Sequence, residues 1–202
     1  MFIAVEGLDG SGKSTTVTKL KEWLEKRLDK EVMLTQEPTK HPSGKLIRDM
    51  LVAQKESPLL HEKLALAFAA DRLNHLEIDI WPALKQNKVV ITDRYLFSSI
   101  AYQTVAVNYE WVKGLNRFAM LPDLLIYINV SIETALKRIK LYRENSELYE
   151  TGNYLEQILK QYQRTLDDFS RHLPIIELNG EITPDEIMDE IEEKLGNHKL
   201  FN

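Results

Sequence analysis

A short apolar run that passes directly into a glycine-rich turn and then a helix opens the chain. Phe2, Ile3, Ala4 and Val5 precede Gly7-Leu8-Asp9-Gly10-Ser11-Gly12-Lys13-Ser14-Thr15, and Lys13 to Leu28 reads as helix. Gly7, Gly12, Lys13 and Ser14 fill the phosphate-loop pattern G-x-x-x-x-G-K-[ST], with the strand before and the helix after that the pattern requires. Glycines let the backbone curl so that its N–H groups face a bound phosphate, and the helix N-terminus adds a favourable dipole. Lys13 then reaches the outer phosphates while the Ser14 hydroxyl faces Mg²⁺. A fortuitous Gly/Ser-rich turn is the alternative, and the flanking elements argue against it.

Length and composition narrow the rest. At 202 residues, 44% apolar and 28% charged, the chain is expected to form a single domain, 1–202, with a sizeable core. A formal net charge of −5 argues against broad nucleic-acid binding. The absence of cysteine excludes disulfides, thiolate metal sites and a cysteine nucleophile. No apolar run approaches the ~20 residues of a membrane span. With the loop strand at the very start, no signal peptide is expected, so a cytoplasmic location follows.

Buried-strand patterns recur at Phe2–Glu6, Glu31–Thr35, Lys88–Asp93, Leu124–Val130 and Ile175–Leu178, separated by helical patterns. That alternation predicts an α/β fold, a parallel sheet with helices on both faces and ligands at the carboxyl ends of the strands. Within Leu64–Leu84, the residues Leu66, Ala70, Leu73, Ile80 and Leu84 form an apolar stripe expected to face the core. Phe68 and Arg72, four apart, share a different face that suits a flat base and a phosphate. A satellite apolar contact plus a solvated arginine is the plainer reading.

The segment KVVITDRY, residues 88–95, places Asp93 at a strand tip beside the phosphate loop. There a carboxylate can hold a Mg²⁺ shell, and the planar fork of Arg94 can grip a phosphate. A structural salt bridge from Asp93 to a surface lysine is the alternative. Ser98 and Tyr102 lie four apart on the following helix and face the same space.

Taken together, GLDGSGKST, EPT at 37–39, LAFAADR at 66–72 and DRYLFSSIAYQ at 93–103 resemble the thymidylate kinase family, with matching spacing across nearly the whole chain. The resemblance implies the P-loop kinase three-layer fold with a five-stranded parallel sheet and a short mobile lid at about 141–153. It also implies Mg²⁺-dependent transfer of the ATP γ-phosphate to dTMP, and a homodimer. By the same likeness Asp9 contacts the acceptor's 3′-hydroxyl, and Pro38 packs near the thymine methyl. Phe68 stacks on thymine, Arg72 holds the acceptor's phosphate or base, and Arg48 reaches the acceptor phosphate. Arg94 bridges the two phosphates, while Ser98 and Tyr102 line base and sugar, with Tyr102 crowding out a ribose 2′-hydroxyl. For Asp9 a local turn hydrogen bond, and for Arg48 a solvated helix charge, are the plainer alternatives.

The basic helix Ala135–Arg143 leads into the lid. Arg138 resembles the arginine that packs against adenine, with Asn179–Pro184 as the opposite wall. Because Gly10 stands where some members carry an arginine, the lid is expected to supply it, and Arg143 is the candidate. The common lid motif D/E-R-x-E reads here Glu147-Leu148-Tyr149-Glu150, and Gln36 stands where some relatives have arginine. A solvated basic face is the alternative for Lys137, Arg138, Lys140 and Arg143. No general base is needed, since the acceptor phosphate is already ionised; alignment and charge neutralisation carry the reaction. Other nucleotide kinases remain as rivals. A GTPase switch would show N-K-x-D, and the only Asn-Lys is followed by Val89-Val90. The five histidines show no metal-ligand spacing, Trp23, Trp81 and Trp111 read as packing residues, and Thr183 is expected to cap a helix from Pro184 to Leu195.

Overall fold

The computed structural model describes residues 1–53, 57–142, 152–196 and 198–201. Its strands are β1 (Phe2–Gly7), β2 (Val32–Gln36), β3 (Val89–Asp93), β4 (Leu124–Asn129) and β5 (Ile175–Asn179). They form one parallel five-stranded sheet in the order β2-β3-β1-β4-β5. All five expected strands are present, with ends shifted by one residue. The helices are α1 (Lys13–Leu28), α2 (Pro42–Ala53), α3 (Leu60–His75), α4 (Trp81–Lys85), α5 (Leu96–Gln103), α6 (Tyr109–Leu115), α7 (Ile132–Tyr142), α8 (Gly152–Phe169) and α9 (Pro184–Leu195). None of the described helices is long and apolar enough to cross a membrane.

Strand alternation divides the core in two. Ile3 and Val5 of β1 join Ile91 and Ile126 beneath α1 and α9, which contribute Leu20, Leu24, Ile187 and Ile191. Phe2 and Ala4 point the other way, joining Val90, Leu125 and Tyr127 beneath Leu64 of α3, Phe97 and Ile100 of α5, and Leu155 and Tyr162 of α8. The next side chain on that second face is Glu6, fully buried at the end of the strand. Because β1 is the central strand, the loop after it emerges mid-sheet on the carboxyl edge, where such sheets bind ligands. At the far end of the chain Thr183 caps α9 as expected: its hydroxyl accepts from the Glu186 N–H, and the Glu186 carboxylate accepts from the Thr183 N–H at 2.8 Å.

The long helical segment corrects the expectation for residues 64–84. Leu66 (51% exposed), Ala70 and Leu73 (43%) face outward, whereas Leu64, Ala65, Arg72, His75 and Leu76 are buried. Only Ile80 and Leu84 of the expected stripe meet the core. Helical spacing of apolar residues marks a face without saying what covers it. Here the covered face carries polar side chains that find partners in the neighbouring loop. A π-helical turn at Leu76–Ile80 joins α3 to α4 and rotates the buried face between them. Two tryptophans also depart from the packing role expected of them: Trp81 is 42% and Trp111 39% exposed, while Trp23 packs edge-on against Phe201.

Candidate functional site

The turn after β1 is shaped by backbone. Gly12 (φ 97°) closes it in the left-handed region ahead of α1. Gly10 (φ 76°) passes so close to α7 that a β-carbon there would lie 2.5 Å from the Ala135 carbonyl oxygen. The Leu8 side chain lies in the core, so this residue offers the loop only its backbone. The Lys13 ammonium curls back into the turn, donating to the carbonyls of Leu8 (2.7 Å) and Gly7 (3.1 Å). Burial, with the nearby charge of Arg94, lowers its pKa to about 8, against the pull of Asp9, Asp93 and Glu6. Ser14, first turn of α1, donates its hydroxyl to the Asp93 carboxylate at 3.1 Å. Asp93 therefore joins the loop and not a surface lysine. Arg138 of α7 reaches across the rim, donating to the carbonyls of Gly180 (2.8 Å) and Gly10 (3.4 Å), while Lys137 and Lys140 are exposed.

Arg94 follows β3 directly in the left-handed region at φ 68°, a conformation that costs a non-glycine residue about 1–2 kcal/mol. The turn throws its side chain back over the phosphate loop. One guanidinium nitrogen donates to Asp9 (2.8 Å) and the Tyr102 hydroxyl (3.2 Å). The other donates to the Ser98 hydroxyl (2.8 Å), the Gly7 carbonyl (3.3 Å) and the Tyr162 hydroxyl (3.4 Å). Lys13 and Arg94 thus donate to one carbonyl, that of Gly7. Tyr102 also donates to Asp9 at 3.1 Å, so the Asp9 carboxylate is shared by Arg94 and Tyr102.

From this point a cleft of about 840 Å³ extends along the carboxyl edge of the sheet. One end is lined by the phosphate loop, Arg138, Gly180 and Ile182; the other by Pro38, Arg48, Phe68, Ser99, Tyr102 and Gln103. Arg48 is anchored there by donating to the carbonyls of Pro38 (3.1 Å) and Thr39 (2.7 Å). Phe68 reaches this lining because α3 turns its polar-bearing face inward. Arg72 does not reach it: 1% exposed, it sits behind the lining, pairs with Glu37 at 2.6 Å, donates to Asn116 and lies over the Tyr95 ring. Its Nε, like Ser99 Oγ and Gln103 Oε1, is buried without a hydrogen-bond partner among the described residues. Arg143 and the 143–151 stretch lie outside the described residues.

Sequence reasoning missed the groups that hold these side chains in place. Glu37 takes Arg72 on one oxygen and the His75 ring, at 3.1 Å, on the other; His75 also meets the Thr35 hydroxyl at 2.6 Å. His75 is therefore part of a buried network and not an ordinary histidine. Asp71 pins the following turn, accepting from the Thr39 N–H (2.8 Å) and the Thr39 and Ser43 hydroxyls. Glu6 and Tyr162 do the same beneath Arg94. A charged residue inside an otherwise apolar strand, as Glu6 is, was the available signal. Among the described residues no three acidic or imidazole side chains gather as a metal site; the Ser14–Asp93 pair is a hydroxyl–carboxylate contact at the start of α1 beside the phosphate loop.

A family model described as thymidylate kinase matches residues 5–191. A probable thymidylate kinase of Thermococcus kodakarensis is 39% identical over 176 residues, 84% of this chain and 85% of its own. One from Methanocaldococcus jannaschii is 42% identical over 171 residues, 84% of each chain. Another, from Methanococcus aeolicus, is 36% identical over 204 residues, 99% of this chain and 98% of its own.

Proposed function

The chain belongs to the thymidylate kinase family, and from that premise we propose that its cleft holds ATP and dTMP end to end and passes the γ-phosphate between them. An oxygen of the dTMP phosphate forms the new bond to phosphorus as the bond to the β,γ-bridging oxygen breaks, leaving ADP and dTDP. The observation that carries this reading is the convergence of Lys13 and Arg94 on the Gly7 carbonyl, with a phosphate loop on one side and an aromatic-lined pocket on the other.

On the donor side, the loop Gly7–Thr15 cradles the ATP phosphates, and Arg138 with the 179–184 turn flanks the adenine. Ser14 and Asp93 are the residues that would hold Mg²⁺. One hydroxyl and one carboxylate suit that ion, which keeps most of its positions for water and phosphate oxygens. When bound, the ion neutralises charge on the phosphates. On the acceptor side, Phe68 stacks on thymine, Pro38 meets its methyl group, and Arg48 and Arg94 take the phosphate. Asp9 lies toward the 3′-hydroxyl, and Tyr102 fills the space a 2′-hydroxyl would need, with Ser98 beside it. The unpartnered Gln103 and Ser99 atoms, both on the cleft lining, fit the edge of a pyrimidine. Arg143 is retained as the lid arginine. The outward stripe of Leu59, Leu66, Ala70 and Leu73 supports a homodimer through α3.

Lys13, Arg94 and the lid arginine stabilise charge on the phosphoryl group in flight, and no side chain need take a proton. A panel of dTMP, dUMP, CMP and dGMP with ATP, read by coupled ADP release, tests the reading. The highest kcat/KM is expected with dTMP; ATP hydrolysis equally fast without an acceptor would overturn it.

A further inference from the structure

Beneath Arg94 lies a carboxylate that the reaction does not touch. Glu6 is 0% exposed, and its position on β1 places it in line with Phe2 and Ala4 inside the core. Its Oε1 accepts from two backbone N–H groups at the start of α5, Tyr95 (2.8 Å) and Ser98 (3.0 Å). Its Oε2 accepts from the Ser98 hydroxyl and from the Tyr162 hydroxyl at 2.9 Å. Those two hydroxyls are also the ones to which one Arg94 nitrogen donates.

A hydroxyl has a single proton and two lone pairs. An ionised Glu6, which only accepts, turns the protons of Ser98 and Tyr162 toward itself and leaves their lone pairs facing the guanidinium. The two backbone bonds meanwhile fix the first turn of α5 directly after the strained Arg94 residue. Resting on the kinase reading above, we propose that Glu6 is a positioning residue, which aims Arg94 at the transferred phosphoryl group by orienting the Ser98 and Tyr162 hydroxyls from below. No substrate atom reaches it. Its burial raises the carboxyl pKa, opposed by the Ser98 hydrogen bonds, by Arg94 and by the Tyr95 N–H.

The test is Glu6→Gln, which keeps the shape. The two backbone donors require the amide oxygen at the Oε1 position, so the NH₂ replaces Oε2. It donates where the carboxylate accepted, and the hydroxyls must turn their protons toward Arg94. The expected result is a kcat at least tenfold lower, KM for ATP within twofold of wild type, and thermal unfolding within a few degrees. In an Arg94→Ala background the same substitution should cost less than twofold, because no guanidinium remains to be misdirected. Tyr162→Phe, which removes one of the two hydroxyls without changing the packing shape, should lower kcat about threefold, and it carries the test if Glu6→Gln does not fold. Folded Glu6→Gln and Tyr162→Phe proteins with kcat within twofold of wild type would overturn the proposal, as would an undiminished Glu6→Gln loss in the Arg94→Ala background. Absence of dTMP turnover by the wild-type protein would instead overturn the kinase reading beneath it.

Discussion

Residues 7–15 form the donor end of the cleft through their backbone, whereas the acceptor end is assembled from side chains on α2, α3, α5 and the turn after β2. The first needs few partners: two left-handed glycines, a helix start and a lysine folded onto its own loop carbonyls. The second depends on buried charge. Glu37 ties Arg72 and His75 together with almost no solvent contact, and Asp71 holds the Thr39 turn against α3. A backbone cradle is robust to most side-chain changes and fragile to any added β-carbon. A side-chain scaffold behaves in the opposite way.

Four substitutions press on that contrast. Glu37→Ala strands Arg72 in the core, and breaking a buried pair in this way typically costs about 3–5 kcal/mol. We expect a large loss of thermal stability and a raised KM for dTMP, with the ATP end spared in whatever folds; an unchanged melting temperature would show that the scaffold does not rest on this pair. Arg94→Ala touches both ends at once. Loss of one preorganised donor costs about 3 kcal/mol, so turnover should fall about a hundredfold while circular dichroism stays native. A near-normal rate would remove Arg94 from the chemistry.

Gly10→Ala attacks only the cradle. The left-handed conformation alone costs alanine about 1–2 kcal/mol, and the β-carbon would press on the Ala135 carbonyl. KM for ATP should rise about tenfold with KM for dTMP unchanged, and equal effects on both would dissolve the distinction between the two ends. The smallest effect lies away from both. Lys113 at 2.5 Å, with Tyr109, holds the Asp168 carboxyl below its ordinary value. A lowered carboxyl stabilises the fold above the usual aspartate range, and that contribution disappears as pH falls through the folded value. Wild type and Asp168→Asn should therefore differ slightly in melting temperature at pH 7, by no more than a partly exposed pair allows, and converge on acidification. A gap that widens in acid would reverse the sign.

The same contrast explains what could be read from the chain alone. The phosphate loop, α1 and all five strands were legible because each is encoded by neighbouring residues. The loop needs glycines at fixed offsets, and the strands show as apolar runs bounded by polar turns. Asp93, Ser98 and Tyr102 were legible because they sit at fixed distances from a strand end. The facing of α3 was not. Leu66, Ala70 and Leu73 look like a core stripe until Glu37, 38 residues from His75 along the chain but adjacent in the fold, supplies partners for the polar face instead. Glu6, Glu37 and Tyr162 escaped for the same reason, since each acts through residues 35–156 positions away. The family likeness assigned roles to Phe68 and Arg94 but gave no account of what holds them.

The oxygen that Lys13 and Arg94 both grasp has a further implication. An amide carbonyl carries only a fraction of a charge, so it is a weak stand-in for the phosphate these cations suit. Lys13 also holds the Leu8 carbonyl and Arg94 the Asp9 carboxylate, so an arriving phosphate competes with partners the protein already supplies. Entry is thus an exchange of partners within the cleft, easy for a polyanion and unrewarding for a neutral molecule of the same outline.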